Sequence, residues 1–407
     1  MSANVKSQVE SCAPAVRVHM LVWNDFRNDA RVLKEAQTLQ AAGYVVVVHA
    51  LHVPGLTAQR EFLDSGIEVR RVPPSPFWFN SASLFRAEGR LSLVLKALSR
   101  LWGHCLLVWR LIRAGAQVIH AHDVNTLPTA WLAAKLSAAS LVYDAHEISS
   151  SREGYRSISR FVGALEACLI PRAVGTITTT DARAKFFSRT YGIPRPLVLQ
   201  NRPRYQTLTP SHRIRHELNL TKPWPVILYQ GGLQPGRGLE LLLRAVMQVP
   251  EAYLVYIGGG SLASQLREVR EELGLQERVH FIPTVALADL PSYTASADIG
   301  VQPIENTCFN HFTTDSNKLF EYVQAGLPVI ASDLPEIRKV VACNRLGILV
   351  PPGDGDYLVS ALRDLVADKY KRDFYAENAR KAASLLTWEE QEGKLIAFYE
   401  RIKAWRR

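Results

Sequence analysis

Two successive series of short β-branched runs, each followed by amphipathic stretches, constrain the fold of this chain most strongly. In the first series, strands are predicted at 16–23, 44–51, 117–122, 140–145 and 175–180, with helices at 30–42 and 127–136. In the second series, strands are predicted at 226–229, 253–258, 279–282, 299–303, 328–332 and 347–350, with helices at 239–249, 263–274, 318–324 and 356–367. Buried strands that alternate with helices are typical of doubly wound parallel sheets. The pattern therefore predicts an α/β chain with two Rossmann-like domains.

A polar, proline-punctuated stretch between residues 201 and 225 separates the two series. At 407 residues the chain is longer than one hydrophobic core usually organises. We therefore predict an N-terminal domain over 1–205 and a C-terminal domain over 206–387. The amphipathic segment 388–407 is predicted to be a terminal helix that packs back on the first domain. Two such sheets would face each other across a cleft at the carboxyl ends of their strands, where ligands bind in these folds.

The positive charge is concentrated in the first half of the chain. Residues 1–210 contain 25 Lys and Arg against 14 Asp and Glu, whereas the rest contains 23 against 24. A basic half can meet nucleic acid, an anionic lipid surface or a diphosphate-linked acceptor, or it can simply be a soluble face. No basic and aromatic signature of a nucleic-acid-binding fold is present, so we expect no nucleic-acid partner.

The segment 76–115 interleaves aromatic and basic residues. On a helix, Arg86, Arg90, Lys96 and Arg100 would lie within an arc of about 120°, opposed by leucines. A basic amphipathic helix suits a membrane interface, and the alternative is an ordinary helix packed on the sheet. We therefore expect peripheral contact with an anionic membrane through the basic first domain.

Cysteine usage and hydropathy indicate the compartment. The five cysteines are scattered and lack the close pairs that zinc sites or disulfide frameworks require. No run of 18 apolar residues occurs, and the N-terminus lacks a signal-peptide pattern. We expect a cytoplasmic protein, with any membrane contact at the inner face of the plasma membrane.

The segment 315–336, DSNKLFEYVQAGLPVIASDLPE, combines a turn, a helix start and a buried strand. A helix that starts at this edge can present backbone N–H groups and Lys318 to a phosphate. Glu321, in its first turns, could accept hydrogen bonds from the vicinal hydroxyls of a ribose. The alternative is a plain helix whose N-terminal Glu is favoured by the helix dipole.

Two glycine-rich loops follow strands of the second series. In QGGLQPGRGLE, Arg237 stands where a helix begins, so a diphosphate would meet a guanidinium and a helix N-terminus. The second loop, IGGGS at 257–261, lacks the GxGxxG spacing and the later acidic residue of dinucleotide sites. A nicotinamide or flavin enzyme is therefore disfavoured.

Polar residues also end strands of the first series. His120, His122 and Asp123 end one strand, and His146 and Glu147 end the next. These groups could form a metal site, yet no close repeated pair of ligands supports one, so we expect no protein-bound metal.

The loop after the first strand is equally polar. It contains Asp25, Arg27, Asp29 and Arg31, which would lie near the cleft floor, although Asp29 is also a good helix N-cap.

Taken together, these segments resemble retaining glycosyltransferases of the GT-B fold, in the large family-four group that uses nucleotide sugars. The resemblance covers the whole chain and rests on the segment 315–336 and on the following stretches: NDARVLKEAQTLQAAGYVVVV, VIHAHD, LVYDAHE, VLQNRP, YQGGLQPGRGLELLLRA and WEE…FYERI. In the family, the donor motif runs Glu, seven residues, Glu, then a Gly-x-Pro-Val turn. Here Glu321 takes the second Glu position and Thr313 the first, which in the family usually contacts the donor sugar. Asp315 or Glu305 could replace it only in a rebuilt loop.

The resemblance implies a role for each matching position. The catalytic residues would be His146, Arg237, Lys318 and Glu321. The donor-binding residues would be Gly231, Gly232, Gly259, Gly260, Thr284, Asn317 and Leu319. The acceptor-side residues would be Asp25, Arg27, His122 and Asp123.

The resemblance also implies the reaction. A sugar would move from a UDP or GDP sugar to a glycan or lipid-linked acceptor with retention of configuration, in polysaccharide or glycolipid synthesis. The nucleotide sugar would be a co-substrate, and no cofactor or protein-bound metal is expected. Two alternatives keep the fold: a nucleotide-sugar 2-epimerase, and a catalytically degenerate partner protein that binds a nucleotide sugar.

Overall fold

The computed structural model describes residues 15–73 and 90–405, which form two compact units. The first unit contains the described residues up to Phe26 together with Glu35–Val142, and the second contains Arg27–Lys34 and the chain from Tyr143 onward. The domain boundary expected near residue 205 stays a prediction. Within the described ranges, no helix combines the length and the apolar content needed to cross a bilayer.

The elements up to residue 198 alternate between strand and helix, apart from one run of three consecutive strands. In chain order they are β1 (Arg17–Leu21), α1 (Ala30–Ala41), β2 (Val45–Leu51), β3 (Arg60–Phe62), β4 (Glu68–Val72), α2 (Arg90–Arg113), β5 (Val118–His122), α3 (Asp123–Ser137), β6 (Ser140–Ala145), α4 (Ser159–Leu169), β7 (Gly175–Thr178), α5 (Asp181–Tyr191) and β8 (Leu197–Val198). The strands form a sheet of order β3-β4-β2-β1-β5-β6-β7-β8. Its central strand β1 is parallel to both neighbours, with Val18 beside Val46 and Val118. At the edge, β3 is antiparallel to β4.

The elements from residue 213 onward build a second α/β sheet. They are α6 (Arg213–Glu217), β9 (Val226–Gln230), α7 (Leu239–Met247), β10 (Tyr253–Ile257), α8 (Ala263–Glu272), β11 (Val279–Ile282), α9 (Leu290–Thr294), β12 (Ile299–Gln302), α10 (Phe309–Phe312), α11 (Asn317–Gln324), β13 (Val329–Ser332), α12 (Pro335–Asn344), β14 (Gly347–Val350), α13 (Gly355–Ala367), α14 (Lys369–Ala383) and α15 (Glu389–Trp405). The strand order is β11-β10-β9-β12-β13-β14, and the paired strands are parallel.

Both faces of the second sheet are covered by apolar side chains. Along β9, Leu228 belongs to the core on one face and Ile227 to the core on the other, as the two-residue period of a strand requires. The same alternation places Val255 and Leu254 of β10 in opposite cores. A strand that is buried on both faces reads as a continuous apolar run, and for this reason the sequence predicts these strands well.

The terminal helix α15 packs on the segment that contains β7 and β8, and its assignment to a first domain over 1–205 stays a prediction. The Trp388 N–H donates to the Pro203 carbonyl (2.8 Å), and the Gln391 side chain bonds both the N–H (2.7 Å) and the carbonyl (2.8 Å) of Gln200. A Cβ placed on Gly175 of β7 would lie 2.5 Å from the Phe398 ring. Gly175 therefore provides the space in which this helix packs.

Candidate functional site

Glycines bring the loops that follow β9 and β10 into direct backbone contact. Gly258 has a φ of +139°, and a Cβ there would lie 2.1 Å from the Gly231 carbonyl oxygen. Gly260 has a φ of +157°, and its Cβ would lie 2.3 Å from the Leu233 carbonyl oxygen. Only glycine tolerates both the backbone conformation and the close approach. Both predicted loops thus meet at the carboxyl ends of β9 and β10.

Lys318, in the first turn of α11, lies beside the first of these loops. A Cβ on Gly231 would be 3.4 Å from the Lys318 Cε, and the Lys318 Nζ lies 4.8 Å from the centre of the Tyr229 ring. The side chain is buried. Burial lowers the pKa of Lys318 to about 7, with Arg237 acting in the same direction and Glu321 opposing it. An anion placed here would favour the charged lysine.

Glu321 is oriented by two buried polar groups. Its Oε2 accepts a hydrogen bond from the Gln230 Nε2 (2.6 Å), and the Gln230 Oε1 accepts one from the Thr294 hydroxyl (2.8 Å). Gln230 is the last residue of β9 and is buried, whereas Glu321 is half-buried. The carboxylate is therefore held in place and retains accessible surface for a ligand. Sequence reasoning did not identify Gln230, although its position at the strand end before two glycines was the available signal.

Arg237 precedes α7 and lies at a second edge of the site. It is half-buried and, among the described residues, has no hydrogen bond or ion pair. The next residue, Gly238, has a φ of +67°, and a Cβ on it would lie 1.9 Å from the Pro303 carbonyl oxygen. This glycine fixes the turn from which the guanidinium projects.

Arg237 also lines a cavity of about 320 Å³ in the second unit. The other polar and charged residues around this cavity are Glu147, Ser151, Arg152, Arg183, Gln234, Asn310, His311 and Thr314. Its arginines outnumber its single carboxylate, Glu147, which lies 3.5 Å from Arg152. The cavity therefore favours a negatively charged occupant.

The N-terminus of α11 offers backbone donors next to Lys318. Ser316 precedes the helix with a φ of +50°, and Asn317 begins it as an exposed residue. The first N–H groups of a helix have no partner within the helix and carry its positive dipole end. The Leu319 N–H donates to the Ser316 carbonyl (3.2 Å), and the Leu319 side chain is in the core. Its role in donor binding stays a prediction.

Two further predicted donor residues are neighbours. Gly259 and Thr284 are both exposed, and a Cβ on Gly259 would lie 3.3 Å from the Thr284 hydroxyl oxygen. They lie on the adjacent loops that follow β10 and β11. Gly232, also exposed, accepts a hydrogen bond at its carbonyl from the Tyr229 hydroxyl (3.1 Å).

His146 is held by a buried ion pair. Its Nε2 lies 3.0 Å from the Asp144 Oδ2, and both carboxylate oxygens of Asp144 also accept hydrogen bonds from Arg31 (2.8 and 3.0 Å). Asp144 is fully buried, whereas the His146 side chain is 21% exposed. A carboxylate on the Nε2 side orients the ring.

Thr313, at the position of the first motif Glu, is fully buried. Its hydroxyl accepts a hydrogen bond from the Arg183 Nε (3.2 Å) and donates one to the Phe309 carbonyl (2.8 Å). The Thr313 carbonyl accepts from the Thr180 hydroxyl (3.0 Å). This residue therefore belongs to a buried network and presents no charge.

Of the two acids that could have replaced the missing Glu, Asp315 has a carboxylate engaged by another residue. Asp315 is buried and accepts a hydrogen bond from the Gln200 Nε2 (2.7 Å), and burial raises its pKa. Glu305 is half-buried, and its backbone N–H donates to the Gly236 carbonyl (3.0 Å). Asp315 is therefore engaged in the core of the second unit.

Arg183 and Asn310 were missed by sequence reasoning. The Arg183 guanidinium donates to the Asn310 carbonyl (3.1 Å) as well as to Thr313, and the Asn310 amide exchanges two hydrogen bonds with the Ile148 backbone (2.7 and 3.0 Å). These bonds tie the loop after His146 to the residues around α10. Nothing local in the sequence signals contacts between residues more than a hundred positions apart.

The predicted acceptor-side residues are distributed over both units. Asp25, His122 and Asp123 lie in the first unit and the exposed Arg27 in the second. His122 is buried and stacks on His120, with ring centres 4.2 Å apart. Asp123 is half-buried and has a φ of +60°.

His120 has an acidic neighbour in the first unit. Its Nε2 lies 4.0 Å from the Glu35 Oε2, and both side chains are fully buried. The sequence predicts that these groups bind no metal, and this stays a prediction.

Comparison with known proteins adds to this geometry. Residues 29–202 match the family model of the glycosyl transferase 4-like domain, and residues 224–368 match that of the glycosyl transferases group 1. D-inositol 3-phosphate glycosyltransferase of Xylanimonas cellulosilytica is 25% identical over 359 residues, covering 83% of this chain and 82% of that protein.

Solved structures of the same architecture superimpose on the chain. Sucrose-phosphate synthase of Thermosynechococcus elongatus has a TM-score of 0.76 at 19% identity, covering 96% of this chain and 99% of that one. Anabaena HepE in complex with UDP-glucose has a TM-score of 0.73 at 18% identity, covering 95% and 99%.

The two α/β sheets, the glycine loops at the strand ends of the second sheet and these matches define a glycosyltransferase of the GT-B fold. The chain belongs to the group 1 glycosyltransferases of the family-four type.

Proposed function

We propose that the protein transfers a sugar from a nucleoside diphosphate sugar to a glycan or lipid-linked acceptor with retention of configuration. The observation that carries this proposal is the grouping of Lys318, Arg237 and Glu321 around the glycine loops after β9 and β10. Two cations and a helix N-terminus suit a diphosphate, and an oriented carboxylate suits the vicinal hydroxyls of a ribose. HepE, on the same fold, binds UDP-glucose.

Each group would have a distinct role in the reaction. Glu321, fixed by Gln230, accepts hydrogen bonds from the ribose hydroxyls. Lys318, Arg237 and the start of α11 stabilise the negative charge that develops on the leaving diphosphate. His146, fixed by Asp144, orients the sugar and its phosphate. Gly259 and Thr284 line the base and the ribose.

The retaining course is proposed from the resemblance to the family. The leaving diphosphate takes the acceptor proton on the face from which it departs, so that no covalent nucleophile is needed. The scheme requires neither a cofactor nor a protein-bound metal, because the cations of the protein compensate the diphosphate charge. Asp25, Arg27, His122 and Asp123 would bind the acceptor.

The acceptor and the compartment are inferred from the first unit. Residues on one face of α2 form an exposed apolar stripe, and they are Val94, Leu98, Leu101, Cys105, Trp109 and Ile112. At 100° per residue these positions lie within about 80° of one another. Arg86 and the Arg90 side chain lie outside the described residues, and Arg100 packs over the Trp23 ring (5.2 Å). The face available to a lipid surface is therefore apolar, and Arg113 lies beside it over Trp109.

We accordingly propose peripheral contact of α2 with an anionic membrane at the inner face of the plasma membrane, and a role in polysaccharide or glycolipid synthesis. Failure of the protein to sediment with anionic vesicles at low salt would argue against this contact. Vesicles of neutral lipid are the control, because they offer the apolar surface without the charge.

Turnover of a defined donor tests the proposed reaction. UDP and GDP sugars are first screened by thermal shift, and the donor that binds is incubated with membrane extract as acceptor. The proposal expects transfer by the wild type, loss of transfer by Glu321→Ala, and the donor's anomeric configuration in the product by NMR. Tight donor binding without transfer or hydrolysis would instead support the non-catalytic binding protein, for which Thr313 is the motivating residue. Epimerised free sugar would support the 2-epimerase, which the glycosyltransferase matches do not favour.

A further inference from the structure

A second basic cavity, of about 370 Å³, lies in the first unit between the edge strand β3, its neighbour β4 and the end of α2. Five arginines line it, and they are Arg60, Arg70, Arg71, Arg110 and Arg113. The indole of Trp109, which is 52% exposed, lies at the same cavity. Only residues of the first unit contribute to it, so it is separate from the grouping around Lys318.

Two of the five guanidiniums share one carboxylate. Glu68 accepts from the Nε and Nη2 of Arg70 (2.8 and 2.7 Å) and from the Arg60 Nε (2.5 Å). Each guanidinium has five N–H donors, so Arg60 keeps its terminal nitrogens and Arg70 keeps Nη1 for another partner. Arg71, in contrast, is buried and donates to Glu61 and to two backbone carbonyls. It supports the wall of the cavity.

The remaining two arginines have no acidic partner among the described residues. Arg110 donates one hydrogen bond, from Nη1 to the Arg71 carbonyl (3.0 Å). Arg113 is exposed and lies over the Trp109 ring at 4.7 Å. Both guanidiniums therefore retain planar donor pairs, which is the arrangement that binds a tetrahedral oxyanion with two hydrogen bonds.

The charge of the cavity is not balanced by its surroundings. Among the residues that the structure describes, the five guanidiniums pair with two carboxylates, those of Glu61 and Glu68. Behind them, the buried pair His19 and His49 adds no negative charge, and burial, with nearby Arg70, lowers the pKa of His19 to about 4. Burial and Arg70 also lower the pKa of Arg110. Excess positive charge at partly desolvated guanidiniums is relieved by an anion.

We propose that this cavity binds a phosphomonoester, with the dianionic phosphate held by Arg110, Arg113 and the free donors of Arg60 and Arg70, and with the organic part of the ester lying on Trp109. A dianion matches the excess charge better than a diester or a carboxylate. The cavity joins the exposed apolar stripe of α2 at Trp109, so the ester can be a lipid headgroup or a small soluble molecule. This inference does not rest on the proposed sugar transfer.

Vesicle binding tests the lipid source with the full-length protein. Three vesicle types are compared: phosphatidylcholine alone, phosphatidylcholine with phosphatidate, and phosphatidylcholine with phosphatidylglycerol at equal surface charge. The proposal expects preference for phosphatidate over phosphatidylglycerol and at least about a tenfold loss of that binding in R110Q/R113Q. R100Q, which removes a charge from the same helix outside the cavity, is the matched control and should keep the preference. R113Q alone alters an exposed side chain and serves if the double variant does not fold.

Binding of a soluble ester tests the other source. Glycerol 3-phosphate and dimethyl phosphate are titrated into the R237Q variant and their binding is measured by calorimetry. The R237Q background removes a phosphate contact of the candidate donor site. Binding of glycerol 3-phosphate that disappears in R110Q/R113Q supports a soluble ligand. Preference for phosphatidate vesicles, with no binding of glycerol 3-phosphate, supports a lipid headgroup. The proposal is overturned if neither form binds, if diesters bind as well as monoesters, or if R110Q/R113Q leaves binding unchanged.

Discussion

Donor affinity is expected to depend on pH through Lys318. The pKa of this lysine is lowered to about 7, chiefly by burial, and a diphosphate beside it would favour the charged form. Donor binding should therefore take up a proton whenever the free lysine is neutral. A nucleotide sugar is the right ligand for this experiment, because its phosphodiester groups do not titrate near pH 7 and a free nucleoside diphosphate does.

The size of the effect follows from linkage. Below pH 7 the free lysine is charged and affinity should be constant. Above pH 7 affinity should fall by up to about tenfold per pH unit, or about 1.4 kcal/mol, until the pKa of the complex is reached. Proton uptake should be about half a proton at pH 7 and about 0.9 at pH 8. Lys318 also makes the stability of the ligand-free protein depend on pH. The unfolded lysine keeps its proton up to its usual pKa of 10.5, whereas the folded lysine loses it near pH 7. The free energy of unfolding should therefore rise with pH between 7 and 10.5.

Calorimetry in two buffers of different ionisation enthalpy measures both quantities. Lys318→Arg is the control, because a guanidinium stays charged and should remove both the proton uptake and the slope. Arg237→Gln removes a cation that lowers this pKa, so the fall in affinity should begin at higher pH. Identical, flat profiles for the wild type and Lys318→Arg would refute the reasoning.

Two further predictions concern the scaffold of the site. Gly238→Ala should destabilise the fold by more than the cost of backbone strain, about 1–3 kcal/mol, because its Cβ would also collide with the Pro303 carbonyl. Gly274→Ala is the control and should show the strain alone, since Gly274 has a φ of +64° and no atom within 4 Å of the added Cβ. Equal losses of stability in urea unfolding would contradict this. Asp144→Asn should lower the free energy of unfolding by about 3–5 kcal/mol, because it leaves the buried Arg31 without its carboxylate. His146→Ala should lower donor turnover with little change in stability. A loss of stability below about 1 kcal/mol in Asp144→Asn would show that the Arg31–Asp144 pair is not needed.

The parts of the fold that could be predicted from sequence are those with a strong apolar signal. β9 and β10 are buried on both faces, and their Val, Ile, Leu and Tyr runs read as strands without ambiguity. The edge strands β3 and β8 and the neighbouring strand β4 were missed because they are short or rich in charge, as REF and EVRRV illustrate. An edge strand needs no continuous apolar run, so composition does not reveal it.

Helix α2 shows a different limit. Its periodicity indicated an amphipathic helix, but periodicity does not determine which face packs on the protein. In the structure, Val94, Leu98 and Leu101 are exposed, and Arg100 lies against Trp23. The choice of face depends on what the neighbouring elements can bury, and that is a property of the tertiary structure.

The candidate site was predictable where a residue stands at a strand end or a helix start. Lys318, Glu321 and Arg237 follow this rule, and the structure brings Lys318 beside the Gly231 loop. Gln230 and Arg183 did not emerge, because their importance comes from partners 91 and 130 residues away. Thr313 was visible as a departure from the family motif, but its hydrogen bond with Arg183 was not.

The proposed donor site depends most directly on hydrogen bonds between Glu321 and a ribose. Affinities of the wild type and Glu321→Gln are measured for a nucleotide sugar and for its 2′,3′-dideoxy analogue, with Glu240→Gln, a half-buried acid on α7 that pairs with Arg244, as control. Hydrogen bonds to a charged group are worth about 1.5–3 kcal/mol each, so the wild type and the control should bind the analogue at least about tenfold more weakly than the ribose form. Glu321→Gln should bind the two with nearly equal affinity. Undiminished discrimination by Glu321→Gln would contradict the central claim.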